Sequence, residues 1–269
     1  MKTPDNLKEL VREKYGEIAR KEAGSCCSSS CCGSDDPNLE VYNIMSESYE
    51  ALEGYNPDAD MGLGCGLPTQ FAKISKGDTV LDLGSGAGND CFVARAETGE
   101  TGRVIGLDFT PDMVTKAREN AQKLGFTNVE FIQGDIEQMP IPDVTADVVV
   151  SNCVLNLVPN KQQAFSEVYR VLKPGGHFSI SDIVLVGELP DKLQEVAEFY
   201  SGCVTGAIQK TEYLDLVREA GFIDLQLQKD REIHVPDSLL LKHISIEELK
   251  ALRVSGAGIF SITLFGRKG

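Results

Sequence analysis

Short apolar runs and amphipathic segments alternate along the middle of the chain, from Asp78 to Asp182. TVLDLG, RVIGLDF, VEFIQGD and ADVVVSN read as four strands, each a continuous run of the kind found in sheets covered on both faces. Between them Asp90 to Glu97, Pro111 to Leu124 and Lys161 to Leu172 carry helical spacing, the last ending in KPGG. HFSISDIVLV predicts a fifth strand, Asp191 to Tyr200 and Glu212 to Ala220 two more helices. LQLQKDREIHV and IFSITLFGRK predict two last strands that pair at the sheet edge. This alternation predicts an α/β fold, a doubly wound, mainly parallel, seven-stranded Rossmann-like sheet.

Upstream, Asp5 to Glu22 sets Leu7, Leu10, Val11, Ile18 and Ala19 among charges at helical spacing. Gly24 to Pro37 is linker-like, Leu39 to Leu52 predicts a second helix, and GYNPDADMGLGCGLP a long loop. The expected organisation is an N-terminal helical and Cys-rich extension over 1–70, a core over 71–225 and a C-terminal extension over 226–269.

Charge narrows the partners. Acidic residues number 41 against 26 basic, a formal net charge of −15, which disfavours nucleic acid and anionic membranes. MKTPDNLKEL has no signal-peptide character and no segment is apolar enough to span a bilayer, so a cytoplasmic protein is expected. In that reducing setting eight cysteines read as ligands, catalytic groups or small core residues. Four crowd into GSCCSSSCCGS; Cys65, Cys91, Cys153 and Cys203 stand alone, Cys91 reading as a buried helix residue.

The strand ends carry the candidate chemistry, since open α/β sheets bind ligands outside their carboxyl ends. VLDLGSGAGND holds Gly84, Gly86 and Gly88, a G-x-G-x-G turn whose third glycine comes one residue early for the pyrophosphate turn of NAD-binding proteins. Asp108 closes the second strand roughly twenty residues on, where a carboxylate accepts ribose hydroxyls. Asp135, at the end of the third, is placed to receive an adenine amino group. With EVYRVLKPGGHF these segments resemble the class I methyltransferases that use S-adenosylmethionine. The resemblance implies that Gly84 and Gly86 wrap the methionine end of the cofactor, with Asp82 fixing the loop. It also implies that Asp108 holds the ribose, Phe109 packs on adenine, and Asp135 and Ile136 complete the cofactor set.

The acceptor side is short of bases. His177, His234 and His243 are the only histidines, and none forms an evident pair with a carboxylate. It is rich in sulfur instead: Cys153 after the fourth strand, Cys203 between two helices, and Cys65 in the loop before the core. Converging thiolates suit trivalent arsenic, whose lone pair attacks a methyl group without losing a proton. GLGCGLP, SNCVLNLVPNKQQAF, EVYRVLKPGG and SGCVTGA, in that order, resemble the arsenite methyltransferases over roughly Cys32 to Phe222.

That resemblance implies that Cys153 and Cys203 bind arsenite. Cys65, a third ligand when its loop closes, serves redox turnover with an N-terminal cysteine, Cys32 in preference to Cys31. Thiolates exchange readily, so arsenite is expected to arrive as a glutathione-type thiol complex, with thioredoxin or glutathione as reductant. Cys26 and Cys27 are an added metalloid trap or simply tail. The competing readings are a methyltransferase for a quinone- or sterol-like acceptor and a non-catalytic metalloid- or zinc-binding protein.

Overall fold

A computed structural model of the chain describes residues 4–20, 47–189 and 206–269. Cys26, Cys27, Cys31, Cys32, Cys203 and the helix expected over 191–200 lie outside the described residues. The core elements are β1 (Thr79–Leu83), α3 (Asn89–Thr98), β2 (Arg103–Asp108), α4 (Pro111–Lys123), β3 (Val129–Gln133), β4 (Ala146–Asn152), α5 (Lys161–Val171) and β5 (Leu172–Val186). α6 (Lys210–Glu219), β6 (Phe222–Glu232) and β7 (Gly258–Lys268) follow. Upstream, α1 (Pro4–Arg20) lies where a helix was expected, and the short α2 (Pro68–Phe71) closes the loop after Cys65.

The sheet runs β3-β2-β1-β4-β5-β7-β6, parallel throughout except that β7 is antiparallel to both its neighbours. Order reverses between β1 and β4, so the crevice for ligands opens at the carboxyl ends of those strands. Leu81, Leu83, Ile105, Leu107, Val149 and Phe178 are buried in the sheet, as expected of apolar strands covered on both faces.

Four details depart from the sequence pattern. Residues 47–52, the described part of the second expected helix, are not helical but irregular and turn. The Lys161 helix stops before KPGG as expected, but β5 begins at Leu172 and not at His177, and a register shift between Ala146 and Val148 absorbs the extra residues. The two last strands pair with each other at one end of the sheet as expected, but in the order β5-β7-β6, so that β6 alone is the edge strand. Between them stand two helices the pattern did not reveal, α7 (Asp237–Leu240) and α8 (Ile246–Ser255). The signal for α8 was present in S-I-E-E: Ser245 accepts the Glu248 N–H while Glu248 accepts the Ser245 N–H, a complete capping box.

One ionisable pair is sealed in the core. Asp182 on β5 and Tyr213 on α6 are both fully buried, and the tyrosine hydroxyl donates to the carboxylate at 3.1 Å. Burial pushes the Asp182 carboxyl up to about 7, against the lowering effect of the Lys161 charge and the Tyr213 hydroxyl.

Two stability outcomes follow from this packing. Leu81→Ala costs about 2–5 kcal/mol in urea denaturation, whereas Val254→Ser on the 88%-exposed Val254 changes stability by about 0.5 kcal/mol or less. A carboxyl raised on folding stabilises the protein most below its unfolded value near 3.8, and that contribution is lost as pH rises to about 7. The Asp182→Asn protein therefore gains stability relative to the parent as pH is raised across that window, measured by denaturation at each pH.

Candidate active site

A cleft runs across the carboxyl ends of β1 to β4, enclosing about 1110 Å³ with its open mouth included. The turn after β1 forms one wall. Gly84 has φ +67 and packs so closely on Val154 that a Cβ would collide with its side chain. The Gly84 and Ser85 N–H groups donate to the Leu107 carbonyl at 2.7 and 3.0 Å, which ties this turn to the end of β2. Asp108, next in β2, accepts the Gly86 N–H at 2.9 Å and the Thr110 N–H at 2.8 Å. Burial raises its pKa and those backbone donors oppose the rise. Two buried side-chain atoms in the wall, Ser85 Oγ and Asn89 Oδ1, have no hydrogen-bond partner.

The far wall belongs to α1. Lys8 donates to Asp135 at 2.6 Å and to Glu137, while Val11 and Tyr15 line the cleft. Burial lowers the Lys8 pKa, but its bonds to Asp135 and Glu137 outweigh that and leave it raised. The Arg12 guanidinium lies 4.6 Å over the Phe109 ring. Asp108, Phe109, Asp135 and Ile136 thus share one cavity with Gly84 and Gly86. Asp82 stands apart: it is buried and accepts from the Cys91 thiol at 3.2 Å, outside the cleft lining. Its pKa is pushed well up by burial first and then by the Asp90 charge.

Cys153 lies at the end of β4, 3% exposed, in the lining of the same cleft. Its φ is +61, an unfavourable left-handed conformation for a side-chain-bearing residue. Its N–H donates to the Ser181 carbonyl at 2.8 Å, which holds the chain as it leaves the strand for the turn Leu155–Leu157. Cys65 is wholly buried and does not line the cleft, yet it belongs to the same packed cluster as Cys153. Both thiols are near enough to Tyr213 that their charge opposes its ionisation, adding to the dominant effect of burial and to that of Asp182. None of the three histidines lines the cleft. Among the described residues no three His, Cys, Asp or Glu side chains gather into a metal site.

What joins the two cysteines is Asn152. Its Oδ1 accepts the Cys65 N–H at 3.0 Å, and its Nδ2 donates to the Gly66 carbonyl at 2.8 Å, to Asp90 at 3.3 Å and to the Tyr49 hydroxyl. Tyr49 in turn donates to Asp90, at 2.8 and 3.0 Å to its two oxygens. The glycines flanking Cys65 let the loop lie against the strand ends. A Cβ at Gly64 would sit 2.6 Å from Asn152 Nδ2, and one at Gly66 would sit 2.6 Å from Ser181 Oγ. The Ser261 hydroxyl of β7 donates to the Cys65 carbonyl at 2.6 Å.

Tyr49, Asp90, Asn152 and Ser261 were not anticipated from the sequence. Asp90 and Asn152 are visible in GND and SNC, beside residues that were singled out. Tyr49 and Ser261 join the site only through tertiary packing. Ile183, Ile233, Leu249, Leu252 and Ile259 pack in the cysteine cluster, so the C-terminal segment walls the thiols as well as completing the sheet.

Comparison with known proteins agrees with this geometry. A methyltransferase-domain family model matches residues 74–221. An arsenite methyltransferase of Halobacterium salinarum is 44% identical, over 81% of this chain and 58% of its own. One of Aquipseudomonas alcaligenes is 32% identical, over 88% and 68%. The crystal structure of an arsenic(III) S-adenosylmethionine methyltransferase from Chlamydomonas reinhardtii superposes with a TM-score of 0.63 at 33% identity, covering 85% of this chain and 72% of that one. The chain thus spans 58% of the length of the first of these curated relatives and 68% of the second. By sequence, by fold and by the cysteine-bearing cleft, the chain belongs to the arsenite methyltransferase family.

Proposed function

We propose that the protein methylates trivalent arsenic held on cysteine sulfur, with S-adenosylmethionine as donor, in arsenic detoxification. The observation that carries this reading is the position of Cys153, whose side chain faces the same cleft as the glycine turn, Asp108 and Asp135. The cleft fits the donor: the unpartnered Ser85 Oγ and Asn89 Oδ1 offer polar contacts, Asp108 suits the ribose, and Phe109, Ile136 and Asp135 suit the adenine. Gly84 and Gly86 wrap the methionine end, Gly86 with open space where a Cβ would stand, and Asp82 fixes the loop. When bound, the donor supplies an electrophilic methyl group.

The chain's own part is to hold arsenic with its lone pair available. Cys153 exchanges into a thiol complex of arsenite, such as that with glutathione. A new arsenic–sulfur bond replaces the old one, and the departing thiolate takes the proton that Cys153 loses. Cys203 provides the second bond, and Cys65 the third once its loop shifts, since in the present arrangement it is wholly buried. Arsenic bound this way needs no general base, in keeping with a cleft lined by no histidine. Cys65 and Cys32 then return the product to the trivalent state by giving up two electrons as a disulfide, which thioredoxin or glutathione reduces. The reaction belongs in the cytoplasm, where those reductants keep thiols available.

Cys153→Ser and Cys203→Ser abolish methylation of arsenite and of monomethyl arsenite, when protein, thiol and labelled donor are incubated and the arsenic species separated. Normal turnover by either variant refutes the ligand assignment. Label appearing on a quinone- or sterol-like acceptor, with none on arsenic, refutes the substrate. Cys65→Ser slows the first methylation more than the second, because monomethyl arsenite has only two exchangeable positions for sulfur.

A further inference from the structure

The charges lining the cleft do not balance. Among the described residues they are Lys8, Asp60, Asp90, Asp108 and Asp135. Lys8 is committed to Asp135 and Glu137. Asp108 is met by two backbone N–H groups, and Asp60 accepts the Gly62 N–H at 2.9 Å. Asp90 meets only neutral donors, the Tyr49 hydroxyl and the Asn152 amide, and the charges that act on it are carboxylates, Asp60 and the buried Asp82. Burial first, then Asp60, push its carboxyl up to about 6 despite those hydrogen bonds. Ser85, 7% exposed, turns a partnerless hydroxyl oxygen into the same glycine-turn wall from which Asp90 projects. An ionised carboxylate so placed lacks a cation, and nothing lining the cleft supplies one.

We propose that Asp90 recognises the sulfonium charge of the methyl donor, and that Tyr49 and Asn152 tie this recognition to the loop carrying Cys65. The proposal rests on the donor assigned under Proposed function. The sulfonium, and not the donor's ammonium group, is singled out because the Asp90 contacts lead to the thiol side of the cleft. Asn152 bonds Asp90, Cys65 and Gly66 with one carboxamide and immediately precedes Cys153. There the methyl group must leave. Once it has left, the sulfur is a neutral thioether and Asp90 has lost its counter-charge, so product is bound less well than donor. Because the positive charge declines on the way to the transition state, Asp90 favours the bound donor and adds nothing to the chemical step.

The test is calorimetric titration of the full chain, without arsenic, with S-adenosylmethionine and with S-adenosylhomocysteine. Asp90→Asn weakens binding of the cationic donor about tenfold or more and leaves the neutral product within about threefold. Equal loss for both ligands, or loss for neither, overturns the proposal. A parent protein that binds neither ligand refutes the donor itself, which is a separate result. The parent carries its own control: donor affinity falls as pH is lowered through 6 while product affinity does not, and Asp90→Asn removes that difference. The titratable groups facing Asp90 are Asp60, Asp82, Tyr49 and Cys91, and they remain in the variant. The tie to the loop is read separately, by labelling Cys65 with a thiol reagent: donor slows labelling in the parent and not in Tyr49→Phe. Labelling that donor leaves unchanged in the parent removes the tie.

Discussion

One carboxamide holds the two halves of the site together. Asn152, the last residue of β4, joins the loop before the sheet to the first turn of α3, and both of its polar atoms are engaged. A buried polar network of this kind specifies one arrangement, because each lost contact leaves a group away from water without a partner. The loop around Cys65 has no regular structure of its own. Its position comes from Asn152 on one side and the Ser261 hydroxyl on the other, with glycines allowing the close approach. If the carboxamide is removed, the Cys65 N–H, the Gly66 carbonyl and the Tyr49 hydroxyl all lose a partner together.

The next residue shows how the fold brings a thiol to the cleft. A strand end continuing in extended conformation would send successive side chains to opposite faces of the sheet. The left-handed backbone at Cys153 breaks that alternation and turns the chain into the Leu155–Leu157 turn, while its N–H stays bonded to β5. Such strain, about 1–3 kcal/mol, persists where surrounding contacts over-determine it, and it gathers at sites of function. The arrangement has two sides. The ends of β1, β2 and β3 present the glycine turn, Asp108 and Asp135, and β4 with the loop and the C-terminal segment presents sulfur.

Much of this was legible because the central elements obey strong local rules. TVLDL and ADVVVSN are apolar over their full length since both faces are covered, and the Asn89–Thr98 and Pro111–Lys123 helices carry their boundaries in glycine and proline. The glycine turn and Asp108 were legible for the same reason, as residue types that a close backbone approach requires. The failures were non-local. KPGG has strong breaker chemistry, yet pairing with β4 drew Leu172 into the sheet. IFSITLFGRK reads as a strand from any viewpoint, but its place inside the sheet depends on β5 and β6. Asp135 reads as an open acceptor, and nothing adjacent in sequence announces that Lys8, far upstream, is bonded to it.

The insertion of β7 between β5 and β6 has a consequence for how the protein is made. A ribosome releases residues 172–186 well before 258–268, so β5 emerges with one long edge unpaired, and β6 cannot reach its seat until β7 fills the gap. The hydroxyl that anchors the Cys65 carbonyl also belongs to β7. Until translation passes that strand, the Cys65 loop lacks the wall that holds it, so the sulfur side of the cleft is the last part of the molecule to take shape.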